Sequence, residues 1–226
     1  MNDQDFDAWR EERLHLLPAA LFEALGEGRR AGFLGAPPVA EQVDHSLGFA
    51  YVSERSLGRQ PRSAADLGTG GGLPGLVLAC CWPGTRLVLV EANQRRSKFL
   101  ALALRRISPY GRAEVRCERA EVAGREANLR ETFEVTVARS FGPPAVTAEC
   151  GSPFLELAGR LIVSEPPEAV RREDRWPESG LTELGLVDAG PEHAGPFGYR
   201  VLQKEHPSPG RYPRRTGIPA KRPLFG

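Results

Sequence analysis

The chain has 226 residues, of which 41% are hydrophobic and 26% charged, and its formal net charge is +1. These values are ordinary for a water-soluble globular protein, and the length suits one α/β domain with appendages. No apolar run is long enough to cross a membrane and the acidic N-terminus lacks a signal-peptide pattern, so we expect a cytoplasmic protein without membrane contact.

The four cysteines lack the spacing of a zinc site or of a disulfide framework. Most of them lie in apolar segments, where a free thiol behaves as a small hydrophobic group. We therefore expect buried free thiols and no metal ion. The cysteines are Cys80, Cys81, Cys117 and Cys150.

The first part of the chain shows apolar residues at helical spacing, which predicts three helices. Gly26 and Gly28 are expected to end the second helix, and the glycine and proline residues of 32–38 predict a loop. His45, on the third helix, is interpreted as a surface or helix-cap residue because no nucleophile or metal partner lies nearby in the sequence. The predicted helices span 6–17, 18–25 and 39–57.

A glycine-rich segment at 65–75 reads as the end of a strand, a tight turn and the start of a helix. Gly68, Gly70 and Gly72 tolerate positive φ and let a ligand approach the backbone. Pro74 suits a first helical turn, where its missing N–H has no intrahelical partner. We expect a concave loop lined with N–H donors in front of a helix N-terminus.

Three interpretations of this loop compete. The spacing Gly70-x-Gly72-x-x-Gly75 satisfies the dinucleotide fingerprint, which is a weak signal alone, and a purely structural turn is also open. Asp66 would instead repel a pyrophosphate and attract the cationic amino-acid group of S-adenosylmethionine, directly or through water. The next predicted strand, 86–90, ends at Glu91, where an acid commonly holds a ribose diol. Together, Asp66 and Glu91 favour S-adenosylmethionine.

Helices and strands alternate through the rest of the chain, which predicts an α/β doubly wound sheet. Arg139 follows the fourth strand at its carboxyl end, where ligands bind in such sheets, and is the candidate to contact the cofactor carboxylate or the substrate. His193 is interpreted as a loop histidine. Beyond 65–75, we predict helices at 74–81, 95–107 and 143–157, strands at 86–90, 113–117, 133–138, 160–163, 184–189 and 198–203, and a hairpin loop at 190–196.

Several further motifs agree with a known family in type and order. They are D-L-G-T-G-G-G-L-P-G at 66–75, W-P-G at 82–84, L-V-L-V-E at 87–91, R-R-S-K-F-L at 95–100, and the segments 119–121, 137–139, 159–162 and 211–219. On these residues the chain resembles the glucose-inhibited division protein B family, the bacterial small-subunit ribosomal RNA guanine-N7 methyltransferases. The resemblance covers roughly 60–165 and 207–226.

The resemblance implies a seven-stranded class I methyltransferase fold, with an N-terminal helical extension at 1–58, an S-adenosylmethionine-binding domain at 59–206 and a basic tail at 207–226. It also implies a monomer that acts on ribosomal RNA or the small ribosomal subunit. Arg139 is the candidate catalytic residue, and the backbone and acid at Ala120 and Glu121 are expected over the adenine. The full predicted cofactor set is Asp66, Gly68, Gly70, Gly72, Leu73, Glu91, Ala120, Glu121 and Arg139.

The segment after the fourth strand narrows the acceptor chemistry. Residues 139–142 lack the Asn/Asp-Pro-Pro-aromatic box typical of exocyclic amine methylation, and the chain has no Pro-Cys motif for cytosine C5. Guanine N7 carries a lone pair and no proton, so its methylation needs alignment rather than a general base. Phe141 is the candidate to stack on a base.

The end of the chain is basic, with no acid from Pro207 onward. Arginine forks bind phosphate at two points, so we predict RNA contacts here, with a solvated or docked tail as the alternative. Ser164 and Glu165 stand where the resembled family tends to have a lysine-glycine pair, which keeps open a methyltransferase of a small molecule or of another RNA position, or a catalytically silent cofactor- or RNA-binding module. The predicted RNA contacts are Arg211, Arg214 and Arg215.

Overall fold

The computed structural model describes residues 3–166 and 175–226, with side chains from Asp5 onward. Seven strands of these residues form one sheet in the order β3-β2-β1-β4-β5-β7-β6. The strands are β1 (Ser63–Leu67), β2 (Arg86–Val90), β3 (Ala113–Arg116), β4 (Phe133–Ala138), β5 (Leu155–Glu165), β6 (Leu186–Ala194) and β7 (Phe197–Lys204).

Helices precede, connect and follow the strands. No helix in the described ranges combines the length and the apolarity that a bilayer crossing requires. The helices are α1 (Asp3–Leu14), α2 (Ala19–Arg30), α3 (Val39–Leu57), α4 (Gly75–Cys81), α5 (Gln94–Ile107), α6 (Ala120–Ala123), α7 (Pro144–Gly151), α8 (Glu178–Glu183) and α9 (Ile218–Lys221).

The direction of the strands fixes where a ligand can bind. Strands β1 to β5 pair in parallel, whereas β7 is antiparallel to both β5 and β6. The chain adds β2 and β3 on one side of β1 and then returns to add β4 and β5 on the other. The predicted doubly wound sheet is confirmed, and its topological switch point opens a crevice at the carboxyl ends of β1 and β4.

Alternate residues of the central strands face opposite layers of helices. Leu87 and Leu89 join a core cluster that includes Phe49 of α3, whereas Val88 and Val90 join a second cluster beneath α6. Side chains alternate across a strand, so a continuous apolar run is what a sheet covered on both faces requires. The N-terminal helices therefore form one covering layer of the sheet.

The second helix is longer than the sequence predicted. Helix α2 continues through Gly26 and Gly28 to Arg30. A Cβ on Gly28 would lie 3.1 Å from Cζ of Phe99 on α5, so the missing side chain lets the two helices approach. Packing against α5 offsets the low helix propensity of glycine, which is about 1 kcal/mol less favourable than alanine.

Several other predicted boundaries were wrong, including the start of β5, which lies at Leu155 instead of 160. The helix predicted at 143–157 stops at Gly151 and is followed by a 3-10 turn, Ser152–Phe154, because Pro153 cannot continue an α-helix. Strand β6 continues past 189 to Ala194, with a shift of register between Asp188 and Gly190. His193 therefore lies on a strand rather than in a hairpin loop.

Candidate cofactor and acceptor site

The loop from Gly68 to Leu73 joins β1 to α4 at the edge of the crevice. Gly68, Gly70 and Gly72 adopt φ values of 64°, 61° and 103°, in the region that favours glycine. A Cβ on Gly68 would lie 2.7 Å from Cδ2 of Phe141. The glycine at this position lets the Phe141 ring lie directly on the loop backbone.

Most N–H groups of the loop donate to acceptors within the protein. Gly68 and Thr69 both donate to the carbonyl oxygen of Val90, at 2.9 and 3.2 Å. The expectation of a pocket lined with N–H donors was therefore wrong, and the dinucleotide interpretation loses the donors that a pyrophosphate requires. The other loop donors with internal acceptors are Gly70, Gly72 and Leu73.

Asp66 lies under this loop and is 1% exposed. Its Oδ2 accepts a hydrogen bond of 2.8 Å from the Gly75 N–H, which fixes the start of α4. Its Oδ1 has no hydrogen-bond partner among the described residues. Burial raises the pKa of Asp66 from 3.8 to about 7, although the Gly75 N–H bond and the nearby Thr69 hydroxyl oppose that shift. The carboxyl group therefore holds an unused acceptor close to the crevice.

Glu91, at the end of β2, is 6% exposed and is held by two backbone donors. Its Oε2 accepts from the Gly70 N–H at 2.9 Å, and its Oε1 accepts from the Asn93 N–H at 2.7 Å. Asn93 in turn caps α5. A carboxylate has about four acceptor positions, so Glu91 keeps capacity for a ligand while its orientation is fixed.

A cavity of about 390 Å³ lies between the carboxyl ends of β2 and β4. Its lining combines acidic, basic and apolar residues, and Ala220 of α9 completes the wall. This volume is within the range of small-molecule sites. The cavity is bordered, among others, by Gly68, Glu91, Ala120, Glu121, Phe141 and Ala220.

Glu121 connects this cavity to the C-terminal segment. Its Oε1 accepts from the Gly217 N–H at 2.9 Å and from Nη2 of Arg119 at 3.2 Å. Burial raises the pKa of Glu121, but the bonds from Gly217 and Arg119 outweigh burial and lower the pKa overall. Glu121 therefore remains ionised and holds the residues before α9 against the cavity.

The loop before α3 borders a second cavity, of about 450 Å³, on the other side of the glycine loop. A Cβ on Gly71 would lie 2.5 Å from Cδ2 of Leu34, so the two loops are in close contact. Arg139 and Gln42 also border this cavity. Nη2 of Arg139 donates to Oε1 of Gln42 at 3.2 Å, which directs the guanidinium towards α3.

Beyond Arg139, two further cavities of about 480 and 400 Å³ lie over the ends of β4, β5 and β7. His45 and Glu165 border both of them. The ring of His45 stacks on Phe197 with centroids 4.8 Å apart, which is inconsistent with the predicted surface or cap role. Burial, together with the Arg139 charge, lowers the pKa of His45 to about 4, so the ring is neutral.

Ser140 connects these spaces. It borders the cavity at Glu91, the cavity at the loop before α3, and one of the cavities at Glu165. Its φ is 52°, a conformation that costs a non-glycine residue roughly 1 to 3 kcal/mol and that is common at functional sites. A ligand at Glu91 and a second ligand at Glu165 would meet at this residue.

The arginines of the tail differ in their contacts. Arg214 binds Glu149, which is fully buried, through Nε at 2.8 Å and Nη2 at 2.5 Å. Arg211 pairs with Glu183 at 3.2 Å, and Arg215 is exposed. Arg214 is therefore part of the folded core, and Arg215 presents its charge at the surface.

The chain is similar to known methyltransferases. The family model described as rRNA small subunit methyltransferase G matches residues 42–167, more than half of the chain. A "Ribosomal RNA small subunit methyltransferase G" from Rubrobacter xylanophilus is 33% identical over 99% of this chain and 90% of the relative. The protein of the same name from Carboxydothermus hydrogenoformans is 36% identical over 72% of this chain and 71% of the relative.

The chain belongs to this family. The resemblance inferred from the sequence motifs is thus confirmed. Among solved structures, an O-methyltransferase from Bacillus cereus in complex with SAH aligns with a TM-score of 0.57 at 16% identity, covering 83% of this chain and 91% of that one. This likeness shows the class I methyltransferase fold.

Several residues that border the site of this methyltransferase G family member had no signal in the sequence. Gln42 and His45 lie on α3, Phe197 lies on β7, and Ala220 lies on α9. Trp176 lies shortly before α8. No short motif connects them, because packing of distant elements brings them to one edge of the sheet. For Ala220, the family resemblance of the tail was the one available indication.

Proposed function

We propose that the chain is an S-adenosylmethionine-dependent methyltransferase that modifies N7 of a guanine in small-subunit ribosomal RNA. Family membership supports the reaction class and the RNA. The observation that carries the proposal is Ser140, where a cavity suited to a nucleoside meets a separate cavity suited to an acceptor base. Two ligand sites that share one short border are what transfer between a cofactor and a base requires.

The described residues fit this cofactor. Asp66 offers an unpartnered buried oxygen next to the crevice, as an ammonium group held through water would require. Gly68 has no room for a side chain against Phe141. We assign Glu91 to the ribose hydroxyls, Ala120 and Glu121 to the adenine, and Asp66 to the amino group. The backbone of Gly68, Gly70, Gly72 and Leu73 provides the close approach.

S-adenosylmethionine supplies, when bound, a methyl group activated by its sulfonium. The chain's residues need only align the acceptor, since guanine N7 has no proton to remove. His45 is neutral at neutral pH, because its pKa is about 4, so it brings no positive charge next to the acceptor. Arg139, at the border of the two sites, is positioned to contact the acceptor or the cofactor carboxylate.

RNA recognition is assigned to Phe141 and to the tail. Phe141 borders the nucleoside cavity and an acceptor cavity, so its ring can stack on a base. Of the tail arginines, Arg215 and Arg211 are exposed and are proposed to contact phosphate, whereas Arg214 acts by holding the tail. We further propose that the protein acts as a monomer in the cytoplasm. Light scattering after gel filtration tests whether it is a monomer.

Methylation of isolated small ribosomal subunits tests the function. Subunits from a strain lacking the enzyme are incubated with the protein and methyl-labelled cofactor, and the RNA is digested for nucleoside mass spectrometry. We expect label in 7-methylguanosine at one position. Label in adenosine or cytidine, or no label in RNA, would overturn the proposal. Titration calorimetry with S-adenosylhomocysteine separately tests the cofactor, for which we expect micromolar affinity.

A further inference from the structure

The acceptor side contains an acidic side chain that the proposed transfer does not use. Glu165 ends β5 and borders the two cavities of about 480 and 400 Å³ next to His45, which we call the acceptor cavities. Its side chain is nevertheless only 4% exposed. A buried carboxylate is costly unless it is paired, so its placement beside open space calls for an explanation. His45, which shares both cavities, provides no charge.

The orientation of Glu165 is fixed from one side. Nε1 of Trp176 donates to Oε1 at 2.9 Å, and Nε of Arg175 lies 3.1 Å from Oε2. Trp176 is itself buried, which prevents rotation of the indole. Among the described residues, Oε1 accepts one hydrogen bond and Oε2 has only the ion pair with Arg175, so within this part of the chain each oxygen retains acceptor capacity. The result is a pair of aligned acceptors.

A pair of aligned acceptors recognises two neighbouring N–H donors. Guanine presents such a pair, N1–H and the exocyclic amine, on its Watson–Crick edge. Adenine presents an acceptor at N1, which a carboxylate repels, and a uracil offers one donor. Sequence-specific RNA recognition commonly reads this edge of an unstacked base.

The same placement suits the proposed acceptor atom. Within guanine, N7 lies across the ring system from N1 and the exocyclic amine. A guanine with its Watson–Crick edge at Glu165 therefore turns N7 away from Glu165. Ser140 borders one acceptor cavity and both cavities beside the glycine loop. Arg139 borders the other acceptor cavity and the cavity at the loop before α3.

We infer that Glu165 is the specificity-determining residue of the acceptor site and accepts hydrogen bonds from N1–H and the exocyclic amine of the target guanine. Trp176 and Arg175 are its positioning residues. The inference rests on the proposed function, because it takes a guanine of RNA as the acceptor. The stack of His45 on Phe197 forms a flat wall beside the same space.

A base analogue tests the inference without any change to the protein. After the modified guanine is mapped by borohydride and aniline cleavage, the RNA is rebuilt by ligation with inosine, which lacks only the exocyclic amine, at that position. We expect wild-type kcat/KM to fall about 10- to 100-fold on inosine, the usual effect of losing a hydrogen bond to a charged group. Equal rates on guanine and inosine would overturn the inference.

Glu165→Gln then assigns the effect to the residue. The amide keeps the size of the side chain but turns one acceptor into a donor, so we expect a 10- to 100-fold loss on guanine and a guanine-to-inosine ratio within about threefold. Retention of the wild-type ratio would contradict the inference. Glu205→Gln, at an exposed position, is the charge-matched control and is expected to keep the wild-type ratio.

Cofactor affinity separates this inference from the proposed function. We expect Glu165→Gln to bind S-adenosylhomocysteine within about twofold of wild type, because Glu165 does not border the nucleoside cavity. If wild-type protein methylates no guanine, the proposed function fails, whatever the variant does. If Glu165→Gln does not fold, Trp176→Phe removes the indole donor, and it is expected to lower the guanine-to-inosine ratio with unchanged cofactor affinity. An unchanged ratio in Trp176→Phe would contradict the positioning role.

Discussion

The nucleoside side and the acceptor side of the site are built differently. The nucleoside side comes mainly from three successive strand-to-helix turns, at Gly68 to Leu73, Glu91 and Ala120 to Glu121, and hydrogen bonds within the protein fix its shape. The acceptor side combines single side chains from α3, the segment after β4, β5 and β7. The first depends on local backbone geometry, and the second depends on how distant elements pack. A substitution that damages one side should therefore leave ligand binding at the other side measurable.

Arg214→Leu is expected to have the largest effect, because it breaks the ion pair between Glu149 on α7 and the tail. It leaves the Glu149 carboxylate buried without its partner, which costs about 3 to 5 kcal/mol in the free energy of unfolding. Urea denaturation measures this change. We also expect weaker cofactor binding, since Ala220 borders the nucleoside cavity.

Arg215→Leu is the matched control for Arg214→Leu. Arg215 is exposed, so its free energy of unfolding and its cofactor affinity are expected to stay near wild type. RNA affinity is expected to fall and to depend less on salt, as the loss of a phosphate contact predicts. A comparable loss of stability in both variants would contradict the assignment of Arg214 to the core.

Gly68→Val tests whether the nucleoside side depends on backbone geometry. Valine would have to adopt a φ of 64° and would collide with Phe141, so we expect at least about 100-fold weaker binding of S-adenosylhomocysteine by calorimetry. Gly84→Ala is the control, because a Cβ there meets no atom within 4 Å. Binding by Gly68→Val close to that of Gly84→Ala would contradict the described loop.

Asp66→Asn tests the buried acid. The pKa of Asp66 in the folded protein, about 7, lies above its ordinary value of 3.8, so the folded state holds a proton that the unfolded state has lost between these pH values. The free energy of unfolding of the ligand-free protein should therefore fall as pH rises from about 4 to 7, by an amount on the order of a few kcal/mol. Thermal melts at pH 5 and pH 8 measure this dependence.

The asparagine variant should lose this part of the pH dependence and be the more stable protein at pH 8. Its cofactor affinity should fall about tenfold, because a neutral amide attracts an ammonium group less than a carboxylate does. If the stability difference between pH 5 and pH 8 is the same in Asp66→Asn as in wild type, a group other than Asp66 causes the pH dependence.

His45→Phe is expected to have the smallest effect. The stack on Phe197 is retained, and the imidazole is already neutral because its pKa is about 4. We expect cofactor affinity to be unchanged, KM for the RNA to change within about threefold, and the pH profile of kcat between 5.5 and 8 to be the same in both proteins. A step near pH 6.5 that disappears in the variant would contradict a neutral His45.

The sequence predicted the nucleoside side because its signals are local. Asp66, the glycines and Glu91 lie within a short stretch whose strand, turn and helix follow from spacing alone. The sequence did not show that the loop donors are bonded within the protein, since Val90, which accepts two of them, is on another strand. The family resemblance provided the reaction class, which spacing alone left open.

The acceptor side and the tail could not be predicted in this way. Glu165 and Trp176 are ordinary residues in sequence, and their alignment depends on the packing of Trp176, just before α8, against the sheet. Arg214 looked like a solvent-facing cation, but its partner Glu149 lies 65 residues earlier in the chain. Charge alone does not distinguish an arginine that binds RNA from one that completes a core.

The contact between Gly217 and Glu121 has a consequence for biosynthesis. The wall at Ala220 is translated about 150 residues after the glycine loop that it faces, so the nucleoside cavity is completed only when residues 217–220 have docked. A ribosome-bound nascent chain, with residues 217–220 still inside the exit tunnel, would lack that wall. Binding of the cofactor analogue therefore depends on the docking of these residues, and the ligand should protect the 217–220 region from proteases.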